Sequence, residues 1–285
     1  MNILLTGASG ILGSDISSQL KESGHNVLGF SSSDIDLFSY QDVKTKVHDF
    51  KPEIVIHSAA VTNVDLCEEH HEIADQINII GSENIAKASR KIDAKVIYIS
   101  SCGVYGNGKI SPYNESDETN PVTYHHYSKL EGEKRVRKFT KKFLIVRPGW
   151  LFGGTPQHKK NFVEARKKDA FNASLIKSAG DKFGSPTYTA DLAKQILYLM
   201  EEGFNGTFNV VNEGCASRFE YVTEIVKLLK MSTIVESVNS DAFPRKANMP
   251  ANECLENRNL SQANVNKMRS WKVALKEYIN LTYQS

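Results

Sequence analysis

The chain has no apolar run long enough to cross a membrane. Its uninterrupted hydrophobic stretches are short, as at Phe143–Val146, whereas a spanning helix needs roughly 20 such residues. Cysteine is scarce: four in 285 residues, Cys67, Cys102, Cys215 and Cys254, with no paired spacing. That argues against a disulfide frame or a structural zinc site and for reduced thiols in a cytoplasmic protein. Net charge is nearly absent, +2 from 35 basic and 33 acidic residues, so nothing points to a nucleic-acid partner. With 40% hydrophobic and 24% charged residues, the composition excludes disorder, collagen-like repeats and a long coiled coil. The run Met1–Gly7 turns apolar without a basic lead or a small-residue cleavage site, and reads as a strand rather than a signal peptide.

Within that near-neutral total the charge is uneven. Between Lys134 and Lys168 stand twelve Lys/Arg against one acid, Glu164, a net of +11, so the rest of the chain sums to −9. Two readings are open: solvated helix faces and loops, or a surface that attracts a polyanion.

The first half alternates strand-like and helix-like segments. Asn2–Thr6, Asn26–Phe30, 53–57, 95–100 and 143–147 read as strands. Between them, Leu12/Ile16/Leu20, Val43/Val47/Phe50 and Ile77/Ile80/Ile85/Ala88 mark the inner faces of helices, and another helix spans about 124–138. Such alternation predicts an α/β fold, a Rossmann-type doubly wound parallel sheet covered on both faces. Residues 1–150 would form a dinucleotide-binding domain, with later strands near 171–213 completing its sheet. Residues 151–285 would form mainly a smaller, discontinuous substrate-binding domain. The stretch Phe243–Leu260 has two prolines and no clean period, and reads as a loop over a site.

Thr6-Gly7-Ala8-Ser9-Gly10-Ile11-Leu12-Gly13 stands where the first strand becomes a helix. Glycines there allow a tight turn and a close backbone approach to a pyrophosphate, and the helix N-terminus offers free amides. Gly7, Ser9, Gly10, Ile11, Leu12 and Gly13 are therefore candidate dinucleotide contacts. An acid at the end of the second strand selects NAD(H); here Ser31 and Ser32 stand there, and the first acid is Asp34. The missing carboxylate favours NADP(H) over NAD(H).

At this point the residues resemble the extended short-chain dehydrogenase/reductases and, more narrowly, the dTDP-4-dehydrorhamnose reductases. The resemblance runs over nearly the whole chain. It includes the glycine turn, Asp34–Leu37, Ser58–Asp65, Asn78–Gly81, Ile99–Ser101, Asn120-Pro121, Lys129–Glu133, Arg147–Trp150 and Phe183–Thr187. It implies that Ser58, Ala59, Ala60 and Thr62 line the cofactor, that Asp36 and Leu37 border its adenine, and that Asn78 supports the site. It further implies that Ser101 hydrogen-bonds the substrate carbonyl and that Lys129 holds the nicotinamide ribose. Cys102, Val104, Tyr105, Trp150 and Arg245 would face the sugar nucleotide.

The chemistry needs an acid four residues before Lys129, on the same helix face. The family has tyrosine there; this chain has His125, with Tyr124 one position early and Tyr127 two late. Three readings stay open: His125 as donor, a neighbouring tyrosine or a water as donor, or a site that binds nucleotide without turnover. The chain also has Cys102 where relatives often carry Asp, and Ala247-Asn248-Met249-Pro250 where they carry an arginine before the proline. The sequence thus reads as an NADP(H)-dependent 4-keto reductase of a nucleotide-linked deoxysugar. Its catalytic set would be Ser101, His125 and Lys129, with no metal, no membrane partner and a homodimer as an open expectation. The rivals are a non-catalytic regulatory subunit, as the beta subunit of methionine adenosyltransferase is, and an epimerase or dehydratase of the same superfamily.

Overall fold

The computed structural model describes residues 1–284. Its amino-terminal half runs β1 (Asn2–Thr6), α1 (Ile11–Glu22), β2 (Asn26–Phe30), α2 (Tyr40–Phe50), β3 (Ile54–His57), α3 (Val64–Glu69) and α4 (His71–Ala74). A π-helical turn (Asp75–Ile80) leads into α5 (Gly81–Lys91), followed by β4 (Lys95–Ile99), α6 (Tyr124–Phe139) and β5 (Phe143–Pro148). The remainder comprises β6 (Trp150–Phe152), α7 (Phe162–Asn172), β7 (Leu175–Ala179), β8 (Phe183–Gly184), β9 (Pro186–Tyr188), α8 (Thr189–Glu201) and β10 (Gly206–Val210). Last come β11 (Ala216–Ser217), α9 (Arg218–Leu228), β12 (Ile234–Val238), β13 (Asn252–Glu253), α10 (Arg258–Gln262) and α11 (Trp271–Tyr283).

The main sheet is six-stranded, parallel in every pairing, in the order β10-β5-β4-β3-β1-β2. Its four central strands, β1, β3, β4 and β5, are buried on both faces, which explains their nearly unbroken apolar sequences. Side chains alternate between two cores. Ile3, Leu5, Ile54, Ile56, Ile97, Leu144 and Val146 pack with Leu12, Ile16 and Leu20 of α1 and Leu192, Ile196 and Leu199 of α8. Leu4, Val55, Val96, Tyr98 and Ile145 pack with Val43 and Val47 of α2, Ile85 and Ala88 of α5 and Val136 of α6. This is the doubly wound α/β arrangement the alternation predicts. A third core holds the carboxyl-terminal part together and is aromatic: Trp150, Phe152, Tyr188, Tyr221, Trp271 and Tyr278.

The structure corrects the sequence reading in four places. Of the later strands, β10 completes the main sheet, but β7 pairs with β12 in a separate two-stranded sheet. The π-helical turn shifts the helix face, so Ile79 is buried while Ile80 is 36% exposed. The stretch read as a loop from Phe243 to Leu260 contains β13 and the start of α10. Finally, Cys215 and Cys254 pair as a disulfide across 39 residues, while Cys67 and Cys102 remain free thiols. The order β11-β8-β13 brings the two cysteines together, a juxtaposition that spacing alone could not show. Among the described residues, no helix is long and apolar enough to cross a membrane.

The β1–α1 turn depends on contact between backbones. A Cβ on Gly13 would lie 2.0 Å from the Gly7 carbonyl oxygen, and one on Gly7 would lie 2.7 Å from the Ala59 nitrogen. Gly13→Ala is therefore expected to cost about 1–3 kcal/mol or more through overpacking, read as a drop of several degrees in melting temperature. An unchanged transition would show that the turn has room the structure denies.

Candidate active site

The strand ends of β1, β3, β4 and β5 converge at one edge of the sheet, beside the point where strand order reverses. Open α/β sheets bind ligands there. Gly7 leaves β1 with φ +73°, and the Gly10 amide donates to the Gly7 carbonyl at 3.0 Å. No side chain caps α1 at Gly10, so the first amides of an 11–22 helix face the edge uncommitted. Together the glycine cradle and the bare helix end fit a pyrophosphate. Thr6 Oγ1 lies 2.7 Å from His57 Nδ1 and accepts from the Ala59 amide, joining β1 to β3 beneath Ser58, Ala59 and Ala60.

The predicted cofactor residues divide by exposure. Gly10, Ser9 and Ser32 are exposed, whereas the Leu12 and Leu37 side chains are buried in the two main cores. Leu37 therefore cannot border an adenine through its side chain; Asp36 beside it is exposed. At the end of β2, Asp34 turns back to accept from the Ser31 amide at 2.7 Å and from the Ser31 hydroxyl. Those hydrogen bonds hold its carboxyl below the usual range. Lys46 of α2 stands 5.3 Å over the Phe30 ring, a cation at the strand end that the linear sequence did not indicate. Thr62 accepts from Lys160 at 2.6 Å.

Helix α6 presents His125 and Lys129 on one buried face. Thr123 caps it by accepting from the His126 amide. His125 is 7% exposed, and its Nδ1 has no hydrogen-bond partner. Burial, with His126 and the Lys129 cation close by, drives its pKa well below the usual imidazole range. Lys129 lies 4.2 Å over the Tyr98 ring, and burial lowers it to about 7. Neither tyrosine replaces His125. The Tyr124 hydroxyl donates to Asp75 at 2.8 Å and its ring stacks on His71 at 3.5 Å, while Tyr127 is 42% exposed. Asn78 bridges Val61 and Ser128, fixing the Ala60–Thr62 turn against α6.

Four residues beyond Lys129, Glu133 gathers the site. Its carboxylate, 1% exposed, accepts from Ser100 Oγ at 2.6 Å, Arg147 Nε at 2.8 Å and Arg147 Nη2 at 2.7 Å. Ser100 precedes Ser101, which is partly exposed at the end of β4 in extended backbone. Arg147 precedes the Pro148–Trp150 turn. One carboxylate thus ties the segments bearing Ser101, Lys129 and Trp150. In the sequence Glu133 and Arg147 stand only within the motifs Lys129–Glu133 and Arg147–Trp150, and no local pattern pairs them.

The predicted substrate residues are less uniformly placed. Val104 is 0% and Tyr105 2% exposed, packed in the aromatic core. The Tyr105 hydroxyl is spent on Asn209 and Arg147, so neither side chain reaches a ligand as read from the sequence. Cys102 is buried and donates to Glu253 Oε1 at 3.6 Å; burial beside that carboxylate pushes its thiol far up, leaving it inert. Trp150 donates through Nε1 to Glu253 Oε2 at 2.9 Å. Arg245 is held by Asp65 of α3 at 3.0 Å, and Lys246 by Glu69 at 3.3 Å. Two residues outside the predicted set, Glu253 and Arg218, also stand here: Glu253 comes from the stretch without a clean period, and Arg218 opens α9, where nothing local marks it as facing Trp150. The +11 stretch is dispersed: Lys134, Arg135, Lys142, Arg147, Arg166 and Lys168 each meet a carboxylate.

A family model described as RmlD substrate binding domain matches residues 1–284. The spore coat polysaccharide biosynthesis protein SpsK of Bacillus subtilis is 34% identical over 97% of this chain and 96% of its own length. The dTDP-4-dehydrorhamnose reductase of Mycolicibacterium smegmatis is 32% identical over 97% of this chain and 84% of its own. Among solved structures, a dTDP-4-dehydrorhamnose reductase from Clostridium acetobutylicum matches with a TM-score of 0.95 and 36% identity, covering 99% of both chains. The Bacillus anthracis reductase in complex with NADP matches with a TM-score of 0.95 and 31% identity, again over 99% of both.

Glu133→Gln would leave Arg147 buried without a counter-charge. Denaturant unfolding is expected to show a loss of about 3–5 kcal/mol; a loss under about 1 kcal/mol, the range of surface pairs, would contradict the network. Burial also lowers His57, to about 3, and His126 along with His125. The unfolded chain takes up those protons as pH falls through about 6.5, while the folded chain does not, so their contribution to stability is lost on acidification. Melting temperature should decline from neutral pH downward, with a shallower slope in His57→Gln; equal slopes would rule out a histidine contribution.

Proposed function

The chain belongs to the RmlD substrate binding domain family, and on that premise we propose that it is an NADP(H)-dependent reductase of the 4-keto group of a nucleotide-linked deoxysugar. The observation that carries the proposal is the joining of Ser101 and Lys129, through Ser100 and Glu133, beside a glycine cradle that fits a dinucleotide. Relatives named dTDP-4-dehydrorhamnose reductase over nearly the full chain support it. Preference for the 2′-phosphorylated cofactor is supported by the NADP complex of the Bacillus anthracis relative. The exposed Ser32 hydroxyl and the Lys46 cation near the end of β2 add to that support.

When bound, the reduced nicotinamide supplies the hydride for the keto carbon. The chain's residues then have to hold the substrate oxygen and give it a proton. Ser101, at the open end of β4, donates a hydrogen bond to that oxygen. Lys129, one turn beyond His125, holds the ribose and keeps positive charge beneath the site. His125 is neutral at physiological pH because burial removes its charge, so it does not act as an imidazolium; its single ring N–H is directed at the Val61 carbonyl and would have to leave it to donate to the substrate oxygen. A neutral imidazole polarises a carbonyl well where its pKa has been lowered. As the oxygen becomes an alkoxide the imidazole proton passes to it, and the Lys129 ammonium, with its pKa lowered to about 7, restores the ring.

The test is NADPH oxidation by the purified chain with a dTDP-4-keto-6-deoxysugar. Wild type should turn over, and Ser101→Ala and Lys129→Met should each lower kcat/KM by about 100-fold or more. NADPH binding without oxidation, together with oxidation by His125→Tyr, would overturn the reductase reading. His125 in the tyrosine position would then mark a nucleotide-binding protein without turnover.

A further inference from the structure

Most cations around the substrate side of the cleft are already committed. Arg245 and Lys246 are paired with Asp65 and Glu69 of α3. Lys129 is buried beneath the site, over Tyr98. Arg218, the first residue of α9, is different. Its guanidinium carbon lies 3.4 Å over the Trp150 ring and 5.2 Å from the Phe162 ring. The carboxylate charge acting on it is Glu253, but the two Glu253 oxygens are taken by the Trp150 indole and the Cys102 thiol, with His126 Nε2 at 3.6 Å. Among the described residues, no acceptor receives a hydrogen bond from the Arg218 guanidinium.

A guanidinium carries five N–H donors in a flat fork. Arg218 is half-buried, so its donors stay open to solvent or a ligand, while the burial it has weakens its hold on the proton. Beside it, the Tyr221 hydroxyl is 1% exposed and also lacks a partner. The guanidinium and the phenol, which can both donate and accept, thus lie near one another with open hydrogen-bonding capacity. The position is firmly built: Ser217 and Glu220 form a capping box at the start of α9, and the Arg218 amide donates to the Lys182 carbonyl. Gly184 leaves room for the Trp150 ring, since a Cβ there would fall 2.2 Å from it. Lys160, two residues before Phe162 in the chain, donates to Thr62 at 2.6 Å.

We propose that Arg218, stacked on Trp150, is the anchor for the diphosphate of the nucleotide-sugar substrate, with Lys160 as the second cation. A neutral sugar ring would leave the guanidinium uncompensated, whereas phosphate oxygens match its fork and its charge. The assignment rests on the nucleotide-sugar reading above and supplies the arginine that the Ala247–Pro250 segment lacks.

Calorimetric titration with dTDP and with dTMP tests it without turnover. Wild type should prefer dTDP, and Arg218→Ala should weaken dTDP by about 10- to 100-fold while dTMP changes little, collapsing the preference. Arg218→Lys should recover only part of the affinity, because a point charge lacks the fork. It also serves as the folded substitute if the alanine variant is unstable. NADPH binding, followed by nicotinamide fluorescence, should be the same in all three proteins. Unchanged dTDP affinity in Arg218→Ala and Arg218→Lys, with NADPH binding intact, would overturn the anchor alone. Failure of wild type to bind dTDP at all would overturn the nucleotide-sugar reading beneath it.

Discussion

The buried carboxylate of Glu133 is the interaction on which the site's geometry rests. It meets Ser100 at the end of β4, Arg147 at the end of β5 and Arg137 one turn along α6. Ser100 adjoins Ser101, and Arg147 opens the turn that leads to Trp150. Desolvating an acid raises its pKa, yet the guanidiniums and the serine hydroxyl more than reverse that, and Glu133 stays below the usual carboxylate range. Arg147 passes the constraint on through Tyr105 to Asn209 of β10. Two side chains that resemblance would aim at a substrate, Val104 and Tyr105, are instead consumed in supporting this frame.

Burial sets the chemistry of the α6 face. His57, His125, His126 and Lys129 are all bases removed from water, and all lose affinity for protons. Glu133 partly offsets the effect at Lys129. A tyrosine in place of His125 would become a stronger acid next to a lysine cation. A histidine at that place becomes a weaker base, and so remains neutral. The Lys129 ammonium, lowered to about 7, is the acid on this face that releases its proton near neutral pH.

Charge in this protein is balanced locally rather than regionally. The basic stretch from Lys134 to Lys168 is met mostly by nearby carboxylates, so its +11 does not accumulate as one field over the cleft. Steering by a long basic segment thus gives way to a few placed cations. Two salt bridges from Arg245 and Lys246 fasten the segment before β13 to α3, and Arg218 is left over Trp150.

By itself the sequence determined the architecture and the cofactor edge. Short, nearly unbroken apolar strands alternating with helices of period 3.6 point to one doubly wound sheet, and the glycines between Thr6 and Gly13 mark where its first strand turns. Lys129 and His125 at a spacing of four were legible as one face, because helical geometry is local. What only the tertiary structure decided depends on segments distant in sequence. Glu253, Arg218 and the Cys215–Cys254 pair lie on β13 and around β11, short strands that meet only across β8. Ile80 turns outward because a π-helical turn shifts the period that the pattern assumed. The charge of His125 depends on how much water the completed fold excludes. Local periodicity fixes which faces are buried, but desolvation and long-range pairing decide what the buried polar groups do.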